Sequence, residues 1–372
     1  MRAFLDEEVL PAEARYGSDP VATVEELEAQ ARRRGLWNLF RPGALSNLDF
    51  AGVAELTGWS LKLAPEAVNA MAPDVENMIM LDGYASTDQR TRWLEPLLAG
   101  RIRSAFTIAE PDVASSDVTG VATTVRRDGD EYVLTGRKYF IANAPDERCR
   151  LFLVIGRTDP DARAHGQHSI LLVDRDTPGL EIVRTLTVFG YDDYHGYAEI
   201  VLNDIRVPAD ALLGAEGQAV EILRSRQGPG RIHYCMRLIG AAERAIGLMV
   251  DRARGRVAFG RPLADRGVVR EQIARSRMEV DQARLLVLRA AALLDRDPAA
   301  AASLELAAIK IVCPQVACAV LDRAIQIHGG AGVSDDTPLA FAYAYARTIR
   351  FAFGPDAIDM DAIAADELAR PR

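Results

Sequence analysis

The run EYVLTGRKYF (131–140), followed by RLFLVIGR (150–157), HSILLVDRD (168–176), LEIVRTLTVF (180–189) and YAEIVLNDIRV (197–207), decides how this chain is built. Each piece is short and rich in β-branched and aromatic residues, and DGD, DTPG and YDDY punctuate them as turns. This reads as a sheet. On both sides of it the apolar period changes. Towards the N-terminus, LDEEVLPAEARY (5–16), VEELEAQARRRGLW (24–37) and RTRWLEPLLAG (90–100) carry helical spacing, the last with a terminal Gly stop. Towards the C-terminus, Leu238, Ala241, Ala242, Ala245, Ile246 and Met249 recur at threes and fours. Ile273, Val280, Val287 and Leu294 form a seven-residue stripe suited to antiparallel bundle packing. Pro314 falls inside the next helical run and is expected to kink it. The expected fold class is α+β, mainly α, with a helical domain over 1–103, a β-domain over 104–208 and a helical bundle over 209–372.

Composition narrows what the molecule does. A chain of 372 residues with 49% hydrophobic content can bury a large core in two or three packed units. Aromatics are only 6%, and the predominance of Ala and Leu leans towards helix. A net charge of −9 argues against nucleic acid, whose binding rests on phosphate neutralisation by Lys and Arg. No run of 18 apolar residues and no basic-then-apolar leader occurs, so neither a membrane span nor a signal peptide is expected. Cys149, Cys235, Cys313 and Cys318 show no CxxC spacing and no clustered His. Reduced thiols, no metal site and a cytoplasmic location are the expectation.

Five phrases then stand out together: AEPDVASSD (109–117), GRKYFIANA (136–144), RVAFGRPL (256–263), IQIHGGAGVSDDTPLA (325–340) and GPDAIDMDAIA (354–364). In this order and spacing the chain resembles the acyl-CoA dehydrogenase family over essentially its whole length. By GPGRIHYCMR (228–237) and TVFGYDD (187–193) it is most similar to the branch whose larger members carry a kinase-like domain, which is missing here. The resemblance implies an N-terminal helical domain, a middle β-barrel-like domain and a C-terminal four-helix bundle holding FAD beside an acyl thioester. It implies cofactor contacts at Ala109, Ser115, Phe140 and Ala142 on the sheet side. It also implies Arg256 for the pyrophosphate, Phe259 beside the adenine, and Gln326, Gly329 and Gly330 where backbone approaches the cofactor. Read without the resemblance, Arg256 is a solvated bundle residue and the glycines are a helix C-cap. Family sites are shared between subunits, which implies a homodimer or homotetramer.

The departures concern the chemistry. The family's proton-abstracting Glu or Asp stands directly before a glycine, and an ungapped count from Gly332 to Gly354 puts Phe353 there. A phenyl ring accepts no proton, and base assistance is worth roughly 10²–10⁴ in rate. The Thr of the family's T-E-P phrase is Ala109, the hydroxyl of its W-x-T phrase is Ala142, and its Trp is Phe140. Each lost hydroxyl removes about 0.5–1.5 kcal/mol of net hydrogen bonding to a flavin. Two replacement bases are available. His233, counted back from Gly240, titrates near neutrality, or else is a structurally held histidine. Asp356 lies three residues past Phe353, or else caps a turn after Pro355. Asp359 reads as a helix N-cap and His328 as structural, while His165, His168 and His195 sit in loops of the sheet region.

Three functions remain open on this reading. One is an FAD-dependent oxidoreductase acting on an acyl thioester of CoA or a carrier protein, without the usual base. The second is a redox-inactive or non-redox member of the fold, and the third a flavin-dependent oxygenase.

Overall fold

Alternating runs and continuous apolar runs over 103–208 give seven strands in one sheet among the described residues, and the 3.6-residue period on either side gives helices. The strands are β1 (Arg103–Thr107), β2 (Thr124–Asp128), β3 (Glu131–Ala142), β4 (Cys149–Arg157), β5 (His168–Asp174), β6 (Leu180–Leu186) and β7 (Tyr197–Pro208). The principal helices are α1 (Pro20–Arg33), α2 (Asn47–Thr57), α3 (Asp74–Tyr84), α4 (Ala219–Gly255), α5 (Gly267–Arg296), α6 (Leu304–His328), α7 (Leu339–Ile349) and α8 (Asp356–Ala369). The computed structural model describes residues 1–114, 116–191, 196–297 and 303–370. The mainly helical α+β class read from the sequence is the class observed.

The chain divides into two compact units, Met71–Gln227 and Met1–Ala70 with Gly228–Arg372. In the first, the sheet order is β1-β4-β2-β3-β7-β6, with β5 paired to β4. Phe152, Val154, Leu171, Val173, Ile200 and Leu202 bury their side chains in its core. β3 and β7 are antiparallel from Glu131↔Pro208 to Ala142↔Tyr197, and their register slips between Lys138 and Ile141. An irregularity of that kind bends a strand and re-aims its side chains. Asp74, the first residue of α3, fixes the helix to β1: its Oδ1 accepts from Ser104 N at 2.7 Å and Ser104 Oγ at 2.6 Å. His168 lies on β5 rather than in a loop, buried, with Nε2 3.0 Å from Val121 O.

In the second unit, caps set where helices begin. Asp19 accepts from Ala22 N ahead of Pro20, Ser46 accepts from Asp49 N, and Ser303 accepts from Leu306 N. Val280, Val287 and Leu294 of the α5 stripe are buried, with Ile273 half-buried at its start. α6 runs continuously across Pro314. Together with Gly329–Gly332 it is long and apolar enough to cross a membrane. It is nonetheless a core helix here, because Leu306, Ile309, Cys313, Val320 and Leu321 are all buried within the bundle. The four cysteines are free thiols.

α2 and α4 cross with backbones in contact. A Cβ on Gly240 would lie 1.8 Å from Glu55 O, and one on Gly58 would lie 1.9 Å from Arg237 O. Arg237 closes the same crossing, its Nη2 donating to Ala70 O at 2.6 Å and its Nε to Thr57 Oγ1 at 3.3 Å. Gly240→Ala therefore has nowhere to put a methyl group except by forcing two helices apart. It should lower stability by about 1–3 kcal/mol in denaturant titration, and an unchanged midpoint would disprove the close crossing.

Candidate active site

On the sheet side, the local structure is set by a buried ion pair. Lys138 faces inward on β3 with no exposed side-chain surface, and its Nζ donates to Glu110 Oε1 at 2.9 Å and to Ile155 O at 2.7 Å. Glu110 also accepts from Ala122 N at 2.8 Å, Thr123 N at 2.9 Å and Thr123 Oγ1 at 2.5 Å. Burial brings the Lys138 pKa down to about 8 against the opposing pull of Glu110. For Glu110, burial is the largest influence and raises the carboxyl, but Lys138 and the Thr123 and Ala122 donors outweigh it and leave it below its ordinary value. The pair pins the Ala109–Glu110 segment to the sheet, where Tyr139 N donates to Ala109 O at 2.9 Å. Phe140 follows at the slip in register, with φ of +60° and its ring stacked on Tyr197 at 4.1 Å. Ala142 ends β3 opposite Tyr197. Ser115 lies outside the described residues. Glu110 and Lys138 were passed over in the sequence, although a lysine at an inward position of an alternating strand was a usable signal.

On the bundle side, Phe353 sits in the loop between α7 and α8. Its φ is +60°, and Gly354 follows at +104°. A bulky L-residue rarely adopts this left-handed region, and such outliers concentrate at functional positions. Phe259, at φ +51°, shares the conformation. Phe353 meets the Tyr234 ring edge-on, with centroids 5.4 Å apart.

The two replacement bases are placed poorly for that work. His233 is 4% exposed and packs on Phe50 with ring centroids 4.5 Å apart. Burial, reinforced by the Arg237 charge, pushes its pKa down to about 3. Asp356 opens α8, and its carboxylate is held by Lys310 at 3.1 Å, Arg350 at 3.3 Å and Gln315 at 3.3 Å. Burial raises its pKa most, yet these donors together bring it below the ordinary value. A base tied by three donors has little affinity left for a substrate proton. Asp359 is not the N-cap: it lies one turn inside α8 and pairs with Arg231 at 3.1 Å.

At the far end of α4, Arg256 and the HGG segment meet. An open groove of ≈ 480 Å³ is lined by Arg252, Arg256, His328, Ala331 and Asp336 among others. Arg256 is exposed; Arg252 Nη2 donates to His328 O at 3.3 Å, and its buried Nε has no hydrogen-bond partner among the described residues. Two guanidinium groups one helical turn apart suit a phosphorylated ligand. Gly329 is the C-cap of α6 at φ +66°, and Gly330 and Gln326 are exposed beside it. His328 is held, Nδ1 lying 2.8 Å from Ala324 O. Phe259 is 97% exposed at the tip of the small hairpin beyond Arg256.

Comparison with known proteins places the chain in a family. Residues 105–205 match the middle domain of acyl-CoA dehydrogenases, and residues 220–368 match their C-terminal domain. The chain belongs to the acyl-CoA dehydrogenase family. It is 52% identical to FadE2 of Mycobacterium tuberculosis, assigned as an acyl-CoA dehydrogenase, over 99% of this chain and 94% of that protein. It is 45% identical to acyl-CoA dehydrogenase family member 11 of Rattus norvegicus over 99% of its own length, but spans only 49% of that relative. A solved structure assigned as an acyl-CoA dehydrogenase of Mycobacterium abscessus superposes with a TM-score of 0.95 at 43% identity, covering 99% of this chain and 96% of that one.

Two measurements follow from this family member's buried charges. Lys138→Met leaves Glu110 buried without its cation and should cost about 3–5 kcal/mol; Lys138→Met with Glu110→Gln should recover part of it, and no recovery would argue against the pair. His233 is neutral when folded, whereas the unfolded chain protonates it near its ordinary value of about 6.5. Its contribution is therefore present above that pH and lost as pH falls towards 3. Between about pH 6 and 4 it should add a slope of about 1.4 kcal/mol per pH unit, which His233→Gln removes; parallel curves for the two proteins would refute this.

Proposed function

We propose that this chain is an FAD-dependent oxidoreductase of the acyl-CoA dehydrogenase type that acts on an acyl thioester without a carboxylate at the position of the proton-abstracting base. The observation behind this reading is Phe353: a phenyl ring in a left-handed turn, edge-on to Tyr234, directly before Gly354 in the loop that precedes α8. The two carboxylates that follow it, Asp356 and Asp359, are both committed to cations. Membership of the family and the 45% identity to family member 11 support the branch assignment, with this chain standing for about half of that longer protein.

Arg256 and Arg252 would hold the phosphates of FAD, with the Gly329–Gly330 backbone alongside. The residues present fit such a group: an exposed guanidinium, an unpartnered buried Nε and a groove connect them. Bound there, FAD supplies a hydride acceptor. Within the sheet unit, Ala109 and Ala142 offer backbone groups but no hydroxyl, so a flavin ring held by them would gain fewer hydrogen bonds than a Thr at either position would give. Phe353 supplies an apolar wall and no proton acceptor. The substrate best suited to this arrangement is a thioester whose α-proton is acidic without help, because ordinary acyl chains would lose the roughly 10²–10⁴ that a positioned base contributes. A homodimer or homotetramer is part of the same reading, with Phe259 and Arg256 facing a neighbouring copy's cofactor.

A second reading has its own support. The absence of any uncommitted carboxylate on this loop also suits a member of the fold that binds an acyl thioester without oxidising it. The two are separated by spectroscopy. The purified protein should show flavin absorbance, and Phe353→Glu should raise the rate of anaerobic bleaching by an acyl-CoA by roughly 10²–10⁴. A colourless protein that FAD does not reconstitute would overturn the first reading in favour of the second.

A further inference from the structure

We infer that Lys310 is the positioning residue for site position 353. The inference rests on the reading of 353 as the base position, but its geometry stands by itself. Lys310 lies on α6 between the buried Ile309 and Ile311, only 3% exposed. An ammonium in such surroundings must find acceptors, since an unpaired buried charge is strongly unfavourable. Among the described residues, its acceptors lie outside α6, on the segment that carries Phe353 or just beyond it. Nζ donates to Arg350 O at 3.1 Å, to Gly354 O, and to Asp356 Oδ1 at 3.1 Å, with Asp359 Oδ2 at 4.0 Å.

The loop's own hydrogen bonds explain why this one cation suffices. Phe351 N donates to Thr348 O, Ala352 N to Ile349 O and Gly354 N to Phe351 O. Those bonds satisfy amides, while the carbonyls of Arg350 and Gly354 turn to the lysine. Holding the carbonyls on both sides of Phe353 fixes the left-handed turn that it would otherwise avoid. With its backbone fixed, the direction of the side chain is fixed too. The grip is on backbone oxygens and on Asp356, never on the side chain at 353. Lys310 would therefore place a carboxylate there as firmly as it places the phenyl ring.

The test uses hydrogen exchange on the full-length protein and on Lys310→Met. Exchange should rise about tenfold or more in peptides covering 350–356 and stay unchanged across 304–328. Unchanged loop exchange, or a uniform rise through α6, overturns the inference, because the second pattern is what a purely structural core lysine would give. If Lys310→Met does not fold, Lys310→Met with Asp356→Asn removes both charges and is measured against Asp356→Asn alone with the same expectation. A second arm places Lys310→Met in the Phe353→Glu protein. There kcat for acyl-CoA oxidation should fall about tenfold or more while KM and flavin absorbance hold; an equal kcat counts against the lysine. Exchange needs neither flavin nor turnover. A colourless wild-type protein would thus sink the proposed function and leave the role of Lys310 to be decided by the first arm.

Discussion

A lysine ammonium buried among apolar side chains is tolerated only where oxygen atoms surround it, and in this protein two such ammonium groups organise what matters. Lys138 gathers Glu110 and the Ile155 carbonyl inside the sheet unit, and so holds the segment beginning at Ala109. Lys310 gathers Arg350, Gly354 and Asp356 inside the bundle unit, and so holds the loop of Phe353. The physics is the same in both places. The cost of desolvating a cation is offset by fixing irregular backbone that no helix or strand would fix. Each anchor acts on backbone next to a residue in the left-handed region, Phe140 or Phe353.

That constraint bears on Phe140 and Phe353, two of the phenylalanines in the left-handed region. Phe140, Phe259 and Phe353 all adopt positive φ, and all three occupy positions singled out by the family phrases. A strained aromatic persists only where its surroundings over-determine it. Phe140 has the slip in the β3–β7 register and the Tyr197 stack; Phe353 has Lys310 and Tyr234. On the proposed reading, the frame around position 353 is ordered although its side chain accepts no proton.

The residues most attractive as bases by type are the ones the structure has already employed. His233 looked suitable because imidazole titrates near neutrality, yet burial against Phe50 and the Arg237 charge take its pKa to about 3. Asp356 looked suitable by proximity to Phe353, yet it is an ion-pair partner that helps to close the loop. Proximity along the chain and intrinsic pKa are both properties of the isolated residue. What decides a proton acceptor is the environment, which desolvates one and neutralises the other.

The sequence by itself determined the order of helix, sheet and helix, the buried stripe of α5 and the family phrases, and these drew attention to Phe353. These are legible because hydrophobic period and motif spacing are local and linear. Only the tertiary structure decided that residues 1–70 pack with 228–372, and that Gly58 and Gly240 let two backbones touch. It also decided that Asp359 serves Arg231 rather than a helix start, and that Lys138 and Lys310 are loop anchors. These outcomes depend on partners that are separated along the chain, by 28 residues for Lys138 and Glu110, 46 for Lys310 and Asp356, and 180 for Arg237 and Thr57. A single lysine in an apolar helix signals that some oxygen must come to it; which oxygens arrive is settled by folding alone.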